Sequence, residues 1–177
     1  MNIALVGPMG VGKTTIGRLL ADRLRLEFVD TDRQVEERTG ADIPWIFDVE
    51  GEEGFRSRES AVLDELLGSD GQVIATGGGI VLRDANRELL QKHATVIYLQ
   101  AELERLLERT SRDKRRPLLQ VADPRAKIEE LILHRHPLYQ ETAHKTFSAD
   151  SNRPRQLVSR IAKFCEAKLA ETSDKEC

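Results

Sequence analysis

The chain has 177 residues, a length typical of one domain. With 40% hydrophobic and 32% charged residues, its composition predicts a buried core under a charged surface and excludes collagen-like, low-complexity and wholly disordered proteins. The 27 basic and 30 acidic residues give a formal net charge of -3, which excludes binding of nucleic acid or anionic lipid through overall charge. Any anion site must therefore be local.

No membrane segment or export signal is predicted. The longest uncharged stretches, 1–12 and 71–82, are shorter than the roughly 20 apolar residues that span a bilayer. Because the N-terminus has neither a basic signal segment nor the character of a transit peptide, we expect a cytoplasmic protein. Cys165 and Cys177 have no CxxC spacing, so we expect reduced thiols and neither a disulfide nor a zinc site.

Short apolar runs alternate with stripes at helical spacing. This pattern is typical of a parallel sheet covered by helices on both faces, so the fold class is α/β with three layers, α/β/α. One domain over 1–177 accommodates all of these elements. The predicted strands are 3–6, 27–30, 72–76, 94–99 and 146–148.

Several helix ends have a cause in the local sequence. Asp84 is predicted to cap a helix over 85–92. Asp123 followed by Pro124 combines an N-cap with a proline at the first helical position. The last helix is predicted to begin at Pro154.

A glycine-rich loop joins the first predicted strand to the first helix. Residues 7–14 read GPMGVGKT and fit the pattern GxxxxGK[ST] in the strand-to-helix context that the motif requires. Gly10 and Gly12 let successive amides face a phosphate, and the helix N-terminus adds partial positive charge. Lys13 would meet the β and γ phosphates of a nucleotide, and the Thr14 hydroxyl could bind Mg²⁺.

Two aspartates follow the second predicted strand. Asp30 and Asp32 lie at the carboxyl end of that strand, where open α/β sheets bind ligands. Asp30 could hold the water shell of Mg²⁺, and Asp32 could accept a substrate hydroxyl. The alternative interpretation makes one aspartate the N-cap of a helix over 33–39.

Two arginines are predicted to face inward on helices. At 100° per residue, Arg135 falls within the apolar face set by the helix that contains Ile128 and Leu131. The same projection places Arg56 and Glu59 on the inner side of another helix, and the carboxylate could orient the guanidinium. A buried cation needs a partner, so the pair suggests a carboxylate substrate, or alternatively a structural ion pair.

Three glycines, Gly77, Gly78 and Gly79, follow the third predicted strand and could bring bare backbone close to a ligand; a flexible loop is the alternative. Farther on, segment 111–122 has a basic start and no sustained period, so we expect a mobile flap. Most such charge runs are solvated, but one arginine delivered by closure can stabilise a transferring phosphate, and Arg116 is the candidate.

The four histidines show no metal-ligand spacing, so we expect surface residues at positions 93, 134, 136 and 144. The polar end of the chain, 171–177, is expected to fray.

Together these motifs resemble the shikimate kinase family, over almost the whole chain and in the family's order. The matching elements are the phosphate loop 7–14, the DTD element 30–32, FRxxE at 55–59, GGG at 77–79, the RPLL segment 116–119 and RxPxY at 135–139.

The resemblance implies a P-loop kinase fold similar to nucleoside monophosphate kinases, with strand order 2-3-1-4-5. It places a substrate-binding region at about 31–62 and a lid at about 111–123. The implied reaction is transfer of the γ-phosphoryl group of MgATP to the 3-hydroxyl of shikimate, in chorismate and aromatic amino acid biosynthesis. A monomer is the family expectation.

Residue roles follow from the same resemblance. Catalysis would involve Lys13, Asp32 and Arg116, and Thr14 with Asp30 would serve Mg²⁺. Shikimate would contact Asp32, Arg56, Gly77, Gly78, Gly79 and Arg135. ATP would contact Gly10, Val11, Gly12, Lys13, Thr14, Thr15, Arg109, Arg116, Arg153 and Pro154.

Other functions share part of this pattern. A gluconate kinase would have the ATP loop but less need of paired inward arginines, and a non-catalytic nucleotide-binding module would bind without turnover. A GTPase switch is disfavoured: residues 48–51 fit DxxG but follow no convincing strand, and the sequence has no NKxD signature.

Overall fold

The structure is a computed structural model that describes residues 1–111 and 116–173. Residues 112–115 of the predicted flap and 174–177 of the predicted tail, with Cys177, lie outside the described residues. Five strands are present: β1 (Ile3–Val6), β2 (Glu27–Asp30), β3 (Gln72–Ala75), β4 (Thr95–Gln100) and β5 (Lys145–Ser148). They agree with the predicted strands to within one residue at each end.

Seven α-helices flank the sheet in the described part of the chain. They are α1 (Lys13–Leu24), α2 (Thr31–Thr39), α3 (Ile43–Leu67), α4 (Asp84–His93), α5 (Leu103–Thr110), α6 (Pro124–Thr142) and α7 (Pro154–Ser173). Two short 3-10 turns cover Ile80–Leu82 and Pro117–Leu119. Among the helices described, none is long and apolar enough to cross a membrane.

All five strands are parallel and lie in the order β2-β3-β1-β4-β5, as the resemblance predicted. The central strand β1 is fully buried because helices cover both of its faces. One apolar cluster packs α1 and α7 on one face, and another packs α3, α4 and α6 on the other. The fold is therefore the predicted three-layer α/β/α arrangement.

The sheet register brings three chain segments to one edge. Leu5 of β1 and Asp30 of β2 both pair with Ala75 of β3, so these strands end side by side. The loops that follow them carry the phosphate motif, the aspartates and the glycine turn. Ligands of open parallel sheets bind at this edge, which locates the candidate site.

Helix α3 bends at Gly51, whose φ of 72° and ψ of 179° are not helical. This positive φ favours glycine, which has no Cβ to clash with the backbone. The part before the bend packs Ile46 against Val35 of α2 and Phe55 after the bend, in a small separate cluster. The bend thus lets one helix cover the candidate site and also reach the sheet.

One prediction for a helix end was wrong. Asp84 is not a cap: it begins α4 after Arg83, and its carboxylate lies 2.6 Å from the Arg87 guanidinium one turn later. That partner holds the carboxylate away from the free amides of the first turn. Within the predicted flap, Leu119 is 7% exposed and packs into the main core; the mobility of the segment stays a prediction.

The other caps agree with their prediction. Asp123 accepts a hydrogen bond from the Ala126 amide at 3.1 Å, and α6 begins at Pro124. Helix α7 begins at Pro154 and buries Cys165, whose burial raises the pKa of its thiol to about 11.

Candidate active site

The loop after β1 has a backbone that only glycine adopts readily. Gly7, Gly10 and Gly12 have φ values of 148°, 80° and 105°, all in the region that disfavours side chains. A Cβ at Gly10 would also lie 2.7 Å from Thr110 Cγ2, too close for any real side chain. The loop therefore curls tightly before α1, as phosphate binding requires.

Lys13 folds back over this loop. Its Nζ donates to the carbonyl oxygens of Gly7 at 2.6 Å and Pro8 at 2.9 Å. Desolvation by burial, together with the positive charge of Arg116, lowers the pKa of Lys13 to about 7. An anion beside the ammonium would oppose both effects, so this position favours a bound phosphate.

Thr14 and Asp30 meet at the start of α1. The Thr14 hydroxyl donates to Asp30 Oδ2 at 2.8 Å, and Asp30 Oδ1 accepts from the backbone amides of Asp32 and Arg33 at 3.0 and 3.3 Å. One aspartate is thus the N-cap of α2 and also faces the phosphate loop. The two interpretations of this residue are compatible, although the helix begins at Thr31 rather than at 33.

These two residues suit a hydrated magnesium ion. No group of three or more acidic, histidine or cysteine side chains that could enclose a metal occurs in the described ranges. Mg²⁺ keeps several waters and commonly takes only one or two carboxylates, so a hydroxyl beside one carboxylate fits its chemistry.

Asp32 points into the site with an oxygen that has no partner. Its buried Oδ1 makes no hydrogen bond, and it would lie 2.7 Å from a Cβ placed at Gly77. Desolvation, reinforced by the negative charges of Glu59 and Asp30, raises the pKa of Asp32 to about 7. Such a carboxyl group can exchange a proton near neutral pH.

The two predicted inward arginines are buried and lie together. Arg56 is 7% and Arg135 4% exposed, although they come from α3 and α6. Arg56 donates to Glu59 at 3.0 Å and to Glu52 at 3.2 Å, while its Nε has no partner. Among the described residues no ion pair involves Arg135, and its Nη1 lies 3.5 Å from a Cβ position at Gly78. The helical projection is therefore confirmed.

The glycine turn after β3 fits between these charged groups. The Gly77 amide donates to Thr31 Oγ1 at 3.0 Å, and a Cβ at Gly77 would overlap Glu59 Oε1. A Cβ at Gly79 would overlap the Arg56 guanidinium. Bare backbone is thus what allows the acidic and basic side chains to approach.

A cavity of about 520 Å³ connects these groups. Its walls combine the charged side chains with an apolar side formed by Phe47 and Phe55, whose ring centroids are 5.1 Å apart. Its lining includes Met9, Asp32, Phe47, Phe55, Arg56, Glu59, Gly77, Gly78, Gly79, Arg116, Pro117, Leu118 and Arg135. This composition suits a small organic anion with one apolar face.

Two further cavities continue along the phosphate loop. One of about 200 Å³ is lined by Gly10, Gly12, Lys13, Thr14, Thr15, Asp30, Asp32 and Arg116, and shares Arg116 with the larger cavity. The other, of about 310 Å³, is lined by Val11, Gly12, Thr15, Arg109, Asn152 and Pro154 among others. Arg153 is exposed and is not part of the lining of that cavity, although the next residue, Pro154, is.

Some residues at the site were not predicted. Tyr139 donates a hydrogen bond from its hydroxyl to the Gly78 carbonyl, and Thr31 accepts one from the glycine turn. His136 was expected at the surface but is half-buried, with Nδ1 2.8 Å from the Tyr98 hydroxyl. Positions 93, 134 and 144 are exposed as predicted. The sequence did indicate that Tyr139 faces inward, because it lies one helical turn after Arg135 and therefore on the same face.

Comparisons with known proteins identify the family to which the chain is similar. The family model described as shikimate kinase matches residues 9–166. The chain is 53% identical to a shikimate kinase of Vibrio parahaemolyticus over 93% of its own length and 96% of that protein, and 55% identical to one of Pseudomonas fluorescens over 89% and 91%.

Solved structures give the same result. A shikimate kinase from Acinetobacter baumannii in complex with shikimate superposes with a TM-score of 0.92 at 49% identity, covering 94% of this chain and 93% of that one. A gluconokinase from Sinorhizobium meliloti, at 19% identity and a TM-score of 0.58, shares the fold alone. The match over most of the chain, in sequence and in structure, shows that the chain belongs to the shikimate kinase family.

Proposed function

We propose that the chain transfers the γ-phosphoryl group of ATP to the 3-hydroxyl of shikimate, giving shikimate 3-phosphate and ADP. One observation carries the assignment of the acceptor site: Arg56 and Arg135, buried on different helices, converge on one glycine turn in the cavity that also holds Asp32. Phosphate loops are common to many kinases, whereas this pair of cations selects an acidic acceptor.

The acid end of shikimate would lie between the two guanidinium groups. Glu59 and Glu52 hold Arg56 in place, and the Nε of Arg56 has no hydrogen-bond partner within the part of the chain that the structure describes. Arg135 has no ion pair among the described residues, so its charge is available to a carboxylate. Planar guanidinium groups match a carboxylate through paired hydrogen bonds. Gly77, Gly78 and Gly79 would border the ring, with Phe47 and Phe55 on its apolar side.

The nucleotide would lie along the phosphate loop with its base near Pro154. The phosphates would accept hydrogen bonds from the amides of Gly10, Val11, Gly12 and the first residues of α1. The Lys13 ammonium, which donates to loop carbonyls in this structure, would donate to the phosphates instead. Arg116 lines both the acid cavity and the phosphate cavity, so it would neutralise charge on the group in transfer. Arg109 and Thr15 would border the nucleotide, and Arg153 would need to move to reach it.

Thr14 and Asp30 would hold Mg²⁺ and its water shell. When bound, the ion neutralises phosphate charge and helps to align the nucleotide. The hydroxyl and carboxylate are already 2.8 Å apart, so the chain presents both oxygen ligands on one side of the loop.

Asp32 would orient the acceptor hydroxyl and take its proton. The hydroxyl oxygen forms a bond to the γ phosphorus as the bond from that phosphorus to the β-γ bridging oxygen breaks, and ADP leaves. The proton passes to Asp32 Oδ1, the buried oxygen without a partner. With a pKa raised to about 7, the carboxylate can accept that proton near neutral pH.

The decisive experiment measures ADP formation with shikimate, gluconate and nucleoside monophosphates as acceptors, and locates the new phosphate on the product by NMR. We expect turnover with shikimate and phosphorylation at its 3-hydroxyl. Turnover only with the other acceptors would overturn the proposal. Binding of ATP and shikimate without any product would identify a non-catalytic binding module instead.

The proposal also includes properties of the whole protein. A monomer with one domain, a substrate-binding region at about 31–62 and a lid at about 111–123 belong to the proposal as predictions from the sequence and the resemblance. Cytoplasmic location and the absence of nucleic-acid and membrane partners stay predictions from the sequence.

A further inference from the structure

The end of α5 contacts the phosphate loop at its backbone carbonyl oxygens. Arg109 Nη1 donates to the Val11 carbonyl at 2.8 Å and lies 3.3 Å from the Gly10 carbonyl, within hydrogen-bond range of both. The next residue, Thr110, is 5% exposed and packs directly against Gly10. The two segments are almost a hundred residues apart in sequence, so this contact is a tertiary feature of the fold.

Peptide geometry connects these carbonyls to the amides that face a nucleotide. A trans peptide unit is planar, and its C=O and N–H point in opposite directions. The Val11 carbonyl belongs to the same unit as the Gly12 amide, and the Gly10 carbonyl to the same unit as the Val11 amide. A group that holds the Val11 carbonyl therefore fixes the direction of the Gly12 amide, whereas the Val11 amide donates to the Pro8 carbonyl at 3.3 Å in this structure.

We propose that Arg109 is a positioning residue for the phosphate-binding amides, through its hydrogen bonds to the carbonyls of Gly10 and Val11. This inference rests on the proposed nucleotide site and goes beyond the role beside the adenine base that the resemblance implies. A charged donor on a carbonyl also polarises the peptide, which makes the amide of that unit a stronger donor to phosphate.

Lys13 cannot perform this task alone. It satisfies the carbonyls of Gly7 and Pro8, but from the side on which the phosphates would bind, so a nucleotide competes for its ammonium. Arg109 lines the neighbouring cavity near Pro154 and is absent from the lining of the phosphate cavity that contains Lys13, so its contacts with the carbonyls leave that cavity open to a phosphate. Arg109 can therefore maintain the loop both before and after the nucleotide arrives.

A polyphosphate ligand that has no nucleobase distinguishes this positioning role from a contact with adenine. Calorimetry would measure the Kd of ATP, inorganic tripolyphosphate and shikimate for the wild type, Arg109→Met and Arg109→Lys. We expect Arg109→Met to raise the Kd values of ATP and tripolyphosphate by a similar factor, about three- to tenfold, and to leave the Kd of shikimate unchanged. The loss should persist at high salt, because hydrogen bonds that orient the loop are not screened as long-range charge is. Arg109→Lys, which can reach one carbonyl, should restore part of the affinity.

Pro154→Gly is the matched control, because Pro154 lines the outer part of the nucleotide cavity, away from Lys13. This variant should bind ATP more weakly and tripolyphosphate with unchanged affinity. Loss of ATP affinity alone in Arg109→Met, or a loss that disappears at high salt, would overturn the positioning role while leaving the proposed reaction intact. Failure of the wild type to bind either phosphate ligand would instead contradict the nucleotide site itself.

Discussion

The hydroxyl of Tyr139 donates a hydrogen bond to the backbone carbonyl of Gly78, and this bond joins α6 to the glycine turn. Tyr139 lies four residues after Arg135, on the same face of the helix, and is 1% exposed. Its ring packs against Tyr98 of β4 with a centroid distance of 5.0 Å. The tyrosine therefore determines how far the Arg135 guanidinium lies from the turn.

Tyr139→Phe removes this bond and keeps the ring. We expect the KM for shikimate to rise by about three- to tenfold, with the KM for ATP unchanged, because the half-buried Gly78 carbonyl loses its partner beside the acid site. Tyr98→Phe is the matched control, since it also removes a buried hydroxyl but leaves the glycine turn bonded. Equal effects of the two variants on both substrates would show that Tyr139 contributes only to packing.

Arg135→Ala should weaken shikimate binding much more than ATP binding. Loss of one partner of a buried charge pair costs about 2–5 kcal/mol, which we expect in the Kd for shikimate measured by calorimetry. Arg58→Ala serves as the control, because Arg58 is exposed and pairs with Glu50 at 2.6 Å outside the cavity. Equal losses of shikimate and ATP affinity in Arg135→Ala would identify a structural arginine.

Gly79→Ala should damage the acid site and also destabilise the fold. The added methyl would occupy the position of the Arg56 guanidinium, which would have to turn away from its buried partner Glu59. Gly79 has a φ of -96°, so alanine itself meets no backbone strain there. We expect a large increase in the KM for shikimate and a lower thermal midpoint, because the buried Glu59 carboxylate loses its charged partner. A normal KM would show that Arg56 binds no substrate at this position.

Lys13→Ala should suppress phosphoryl transfer and preserve the fold. Removal of one preorganised donor from a developing charge lowers kcat on the order of 100- to 1000-fold, and we expect a loss of that size. Circular dichroism and shikimate binding would check that the rest of the molecule is intact. Normal turnover would exclude a role for this lysine at the phosphates.

Asp32→Asn should stabilise the protein free of ligands at alkaline pH. The pKa of Asp32 rises from its ordinary value of 3.8 to about 7 on folding, so between these values the folded state holds a proton that the unfolded chain lacks. The stability of the wild type should thus increase as pH falls through 7 and be lowest where the buried carboxylate is charged.

Urea unfolding of both proteins would test this dependence. The free energy of unfolding of Asp32→Asn should exceed that of the wild type by roughly 2–4 kcal/mol near about pH 8.5, and the difference should shrink near about pH 5. A difference independent of pH would contradict the raised pKa. Turnover should fall in the same variant, because an amide accepts no proton.

Much of this arrangement could be predicted from the sequence, since the motifs reflect local rules. The phosphate loop needs its glycines and lysine wherever it occurs, and the helical projection found Arg56 and Arg135 without knowledge of the partner elements. The carboxyl edge of a parallel sheet then collects the loops.

What could not be predicted depends on tertiary contacts. The hydrogen bond from Arg109 joins two segments that are far apart in sequence, and no helical or strand periodicity relates them. The burial of Leu119 depends on core residues contributed by other elements. Asp84 fits a capping pattern, but the nearby Arg87 binds its carboxylate, and propensity alone does not rank two such partners.

Three consecutive residues divide between the two halves of the site. Asp30 accepts a hydrogen bond from Thr14 of the phosphate loop, Thr31 accepts one from the Gly77 amide, and Asp32 lines the cavity proposed for the acceptor. A ligand that shifts either aspartate must displace the same first turn of α2. We therefore expect the affinities for the two proposed substrates to be coupled, and by reciprocity whatever factor the first to bind imposes on the second, the second imposes on the first.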